Sequence, residues 1–69
     1  MVPSADAASS ANELHVIADT IERQRERVAA MAEPFLGTER EDVVVTVQEA
    51  ERQLLMAVRA LRRAIKTLE

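Results

Sequence analysis

His15, Asp19 and Glu22 recur at i, i+4 and i+7, a spacing that sets an imidazole and two carboxylates on one helical face, where they could hold a divalent metal. A helix rich in charge produces such triplets by composition alone, and nothing in the sequence supplies the groups that would orient these ligands. No metal is expected. Arg23, Gln24, Glu51 and Arg52 could line a helical active site, but a chain of 69 residues would have to dimerise to enclose a ligand-sized cavity. Cys, Tyr and Trp are absent, and so are a Gly-rich phosphate loop and an H-E-x-x-H motif. The sequence therefore assigns no catalytic residue and no cofactor, and the protein is not expected to be an enzyme. Arg59, Arg62, Arg63 and Lys66 fall at i, i+3, i+4 and i+7 and form a basic patch that could grip phosphates. The formal net charge of −3 and the lack of interleaved aromatics argue against nucleic acid as the partner.

The elements that carry these residues are helical. Ala, Leu, Glu, Arg and Val dominate, with one Gly and two Pro. Residues 1–9 are small and polar and read as a disordered tail; residues 10–69 read as one helical hairpin. Ser10 and Glu13 have the spacing of a capping box, with Asn12 as a rival cap, which predicts helix 1 over about residues 11–33. Pro34 ends it, and Gly37 is free to take positive φ in a turn over 34–38. Thr38 and Glu41 form a second capping box that predicts helix 2 over about 39–68. The β-branched run Val43-Val44-Val45-Thr46-Val47 reads locally as a strand. The cap before it and the helical period through it favour helix.

A short turn makes the two helices antiparallel neighbours. Leu14, Ile17, Ile21, Val28, Met31 and Phe35 form one heptad seam, with Gln24 as its polar member. Val44, Val47, Leu54, Val58, Leu61 and Ile65 form the other, broken at Glu51. Pairing across the turn sets Gln24 opposite Glu51, a polar layer that could specify register. Arg23 is an alternative partner for Glu51. A second series, Val43, Val47, Ala50, Leu54, Ala57, Leu61, Ala64 and Leu68, also runs unbroken along helix 2 and alternates large with small residues.

Size then points outward. A chain this short buries only about 60% of its unfolded surface, and without Cys it has no disulfide to help. Oligomerisation is the remaining route. Helix 2 carries more apolar surface than helix 1 can cover, so Val43, Val45, Leu55 and Met56 are expected to form a partner interface. The expected architecture is all-α, a two-helix antiparallel hairpin dimerising into a four-helix bundle. The expected partner is a second copy or another helical protein. No apolar run is long enough to span a membrane, and Met1–Ser10 lack the pattern of a signal peptide. A cytoplasmic location is expected, with export by a non-classical route left open.

The segment Phe35-Leu36-Gly37 between two amphipathic helices resembles the W-x-G turn of the WXG family of small helical-hairpin proteins, with Phe35 in the place of Trp and Gly37 in that of Gly. The resemblance implies antiparallel hairpins that pair into four-helix bundles, often as substrates of type VII secretion.

Overall fold

A computed structural model describes residues 6–69. Helix α1 spans Ala7–Ala30, a single 3-10 turn spans Glu33–Phe35, and helix α2 spans Glu41–Leu68. No strand occurs among the described residues. The two helices pack side by side into a rod of 59 × 18 × 15 Å, whose short dimensions are those of two helices and one seam.

Helix α1 begins earlier than the Ser10 box predicts. Asp6 is its N-cap: the carboxylate accepts from the backbone N–H of Ala8 (3.0 Å) and of Ser9 (3.4 Å). Ser10 already donates its N–H to the Asp6 carbonyl at 2.9 Å, so it lies inside the helix. Residues 7–9 thus belong to α1 and not to a tail, while residues 1–5 of that expected tail lie outside the described residues. An ionised carboxylate at the helix N-terminus also meets the positive end of the dipole, which the Ser10 hydroxyl would not do.

The far end of α1 comes sooner than Glu33. Pro34 has no N–H to give the Ala30 carbonyl, and the chain tightens before it. Met31 and Ala32 donate to Val28 and Ala29 at 3.0 and 3.3 Å, and Phe35 and Leu36 donate to Ala32 and Glu33 at 3.0 and 3.2 Å. Gly37 follows at φ 70°, the only described residue with positive φ. The connection runs over 31–40, longer than the expected 34–38.

The expected Thr38–Glu41 capping box does not form: Arg40 is the N-cap of α2 and no side chain caps it. Thr38 Oγ1 accepts from the Arg40 N–H at 3.1 Å and donates to the Phe35 carbonyl at 2.7 Å. Glu41 Oε1 accepts from the Gly37 N–H at 2.8 Å, one residue before the expected one. Both side chains therefore tie down the turn, and α2 starts at Glu41 and not at Glu39. Helix α2 then continues through Val43–Val47, because the β-branched run here has a seam to bury and no sheet to join.

Two outcomes test this turn. A Cβ at position 37 would meet no atom within 4 Å, so Gly37→Ala carries only the left-handed strain. It should cost about 1 kcal/mol in urea unfolding, and Gly37→Asn clearly less. Equal loss from both would show that the conformation is not what the glycine provides. At the start of α2, Arg40 donates to both oxygens of Asp42 at 3.0 and 3.2 Å and holds that carboxyl below the usual range. The folded value is the depressed one, so its contribution is complete above the ordinary aspartate range and fades as pH falls through the folded midpoint. An NMR titration should show Asp42 titrating low, and Arg40→Ala should move its midpoint upward.

Candidate interaction surface

The seam is organised around one charged pair. Arg25 Nη1 donates to Glu51 Oε1 at 3.0 Å across the two helices, and Arg25 also grips Glu22 of its own helix at 2.6 Å. These side chains keep 24% and 30% of their exposure, so the pair is half-desolvated. The Glu22 hydrogen bond first, then the charges of Glu22, Glu51 and Glu26, hold the Arg25 guanidinium more firmly protonated than usual. Carried along both helices in heptads, the Arg25–Glu51 register sets Ala18 level with Val58, Ala11 with Ile65 and Ala32 with Val44. Those six are the buried residues of the described chain. Leu14, Ile21, Val28, Phe35, Val47, Leu54 and Leu61 flank them, half-buried.

Three expected positions on α1 are therefore corrected. Ile17 is 40% exposed and Met31 66% exposed, and Gln24 is also exposed. The residues facing α2 are the next in sequence, Ala18, Arg25 and Ala32. Large apolar residues looked like the better seam. Alanine lets the helices approach, and only Arg25 brings Glu51 a counter-charge. Arg23, the alternative partner, turns instead to the Thr20 hydroxyl at 3.4 Å.

The rotation of α1 gives the rod two different broad sides. One side is polar and holds the cross-helix polar contacts: an ion pair from Arg62 to Asp19 at 3.6 Å and His15 Nε2 lying 3.9 Å from the Glu69 carboxylate, with Glu22 bordering the Arg25–Glu51 pair. The residues that could have formed a metal triplet, His15, Asp19 and Glu22, are thus each turned to a partner of their own. No cluster of three metal-ligating side chains occurs among the described residues. An open hollow of about 180 Å³, lined by His15, Arg62, Ile65, Lys66 and Glu69, lies at the end away from the turn.

Among the described residues, the other broad side carries no charged side chain. On α1 it comprises Ser10, Ile17, Gln24 and Met31. On α2 it comprises the columns Val43, Ala50, Ala57, Ala64 and Thr46, Gln53, Ala60, Thr67, all of them exposed except the half-buried Ser10 and Val43. Every Asp, Glu, Lys and Arg of α2 lies in the remaining columns. The second apolar series of α2, seen in the sequence, is the edge of this side.

The four expected interface residues do not share a face. Val43 and Leu55 flank the seam on opposite edges, half-buried, while Val45 and Met56 point away from α1 with 67% and 55% exposure. The turn 43–47 is not buried all round, because a two-helix rod has only one seam to offer. Arg59, Arg62, Arg63 and Lys66 are all exposed, off the charge-free side, and Arg62 is engaged by Asp19. No helix among the described residues is long and apolar enough to cross a membrane.

No family model matches the chain, and no curated protein or solved structure shows significant similarity to it.

The half-desolvated pair makes a direct test. Replacing Arg25 and Glu51 together by Leu removes two desolvated charges and fills the seam, and should raise the melting temperature by several degrees. The double variant Gln24→Leu with Glu51→Leu should not, because position 24 lies outside the seam and Arg25 loses a partner. Equal gains from the two, read by circular dichroism, would restore Gln24 to the polar layer.

Proposed function

We propose that this protein is a non-catalytic interaction module, a helical hairpin that self-associates through the charge-free side into a four-helix bundle. The observation that carries this reading is the contrast between the two sides. Cross-helix ion pairs and hydrogen bonds occupy one, while the other exposes Ile17, Met31 and a run of alanines with no charge among them. Solubility alone favours charge spread over all exposed faces, and a bare side of this length fits a surface that is covered in use. The six buried residues among those described are also a small core for an independent domain, so covering a second side stabilises fold and assembly together. The alanines suit helix-on-helix contact, since they let two backbones come close. The WXG-like reading of the Phe35-Leu36-Gly37 turn points the same way: Phe35 is half-buried against the hairpin end and Gly37 makes the left-handed turn. Docking onto a different helical protein uses the same side and is the competing reading.

Sedimentation equilibrium on the isolated chain separates them. A dimer at low micromolar concentration is expected, and Ala57→Glu with Ala64→Glu should shift it to monomer. Glu at Val45 and Leu55 should matter less, because both residues lie on other faces of α2. A wild-type monomer of undiminished stability would remove self-association and leave the foreign partner.

A further inference from the structure

We infer that the second copy lies parallel to the first, related by a two-fold axis along the rod, so that α1 of each hairpin covers α2 of the other. This rests on the self-association reading and goes beyond it by naming the orientation and the contacts that select it. The rims of the charge-free side carry matched charges. Along the outer rim on α1 stand Glu13, Thr20 and Arg27; along the outer rim on α2 stand Glu49, Met56 and Arg63. The register defined by the Arg25–Glu51 bond puts Glu13 level with Arg63 and Arg27 level with Glu49. Within one hairpin these rims lie on opposite outer edges. Glu13, Arg27 and Arg63 make no ion pair among the described residues, and Glu49 meets Arg52 and the Gln53 amide, both of its own helix.

A rotation of 180° about the rod axis brings the α1 rim of one copy over the α2 rim of the other at unchanged level. Glu13 then faces Arg63 and Arg27 faces Glu49, twice per dimer. Shape agrees with charge. Ile17 and Met31, the bulky residues of the bare side, come down on the small or half-buried α2 columns at Ala57, Ala60 and Val43. This repeats between copies the large-against-small fit of the hairpin seam. Every helix is also antiparallel to its neighbours, which suits the helix dipoles. The reversed arrangement, α2 on α2, also pairs opposite charges, but it sets alanine on alanine and stacks the bulky α1 residues on each other.

Charge exchange and cross-linking decide between the two. Arg63→Glu should weaken the dimer by roughly tenfold, the scale of replacing rim attraction by repulsion at two symmetric sites. Adding Glu13→Arg should restore it; rescue by Glu49→Arg instead would establish the reversed arrangement and overturn this one. The chain has no cysteine, so single-Cys variants report cleanly. Mixed Ile17→Cys and Ala57→Cys chains should form a disulfide-linked heterodimer under mild oxidation, and Ala57→Cys alone should not link to itself. Self-linking of Ala57→Cys without the mixed product would also overturn the proposal. A dimer indifferent to Arg63→Glu would do the same while leaving self-association standing, whereas a wild-type monomer would defeat the underlying reading itself.

Discussion

The Arg25–Glu51 bond decides how α1 is rotated, and most of the molecule's surface follows from that rotation. Leu14, Ile21, Val28 and Phe35 belong to two possible heptad seams. One would add Ile17, Gln24 and Met31; the other adds Ala18, Arg25 and Ala32. Hydrophobic area alone favours the first. The second wins because Glu51 sits on the α2 seam among Val47, Leu54 and Val58, where a carboxylate without a counter-charge is costly. Arg25 reaches it at 3.0 Å, and alanines on either side allow the close approach that this reach requires.

Two large apolar side chains are displaced outward as a result. Ile17 and Met31 move to one broad side, where the neighbouring α2 columns are alanine, threonine and glutamine. The helix–helix ion pairs gather on the other. The hairpin thus obtains an electrostatically tied side and a bare one from a single choice of rotation. With one seam and no third layer, the rod has few deeply buried residues, so an apolar side left open weighs heavily in the stability of so small a chain.

Much of the hairpin was legible along the chain. Pro34 and Gly37 mark the turn because one lacks an N–H and the other tolerates positive φ, both properties of a single residue. The α2 seam, Val44 to Ile65 with its break at Glu51, follows from period alone. Element ends were less legible. Asp6 displaced Ser10 as the first cap: its carboxylate takes the N–H groups of Ala8 and Ser9, upstream of any that Ser10 would reach, and local spacing does not rank two successive candidate caps. Glu41 ties down the Gly37 N–H in the turn and does not complete a cap with Thr38, because the turn geometry, not the T-x-x-E spacing, set which N–H lay in reach.

What the sequence determined by itself is the kind of structure: two amphipathic helices, antiparallel, with a polar break on one seam and more apolar surface than one partner covers. These are properties of residue type and local period, and they survive any small rotation of a helix. Only the tertiary structure decided which way α1 faces, and with it the exposure of Ile17, Gln24 and Met31, the scattering of Val43, Val45, Leu55 and Met56 over separate faces, and the existence of a charge-free side. Two seams of nearly equal period were available, one residue apart. Period cannot separate them; the reach of one guanidinium to one carboxylate across 26 residues of chain can.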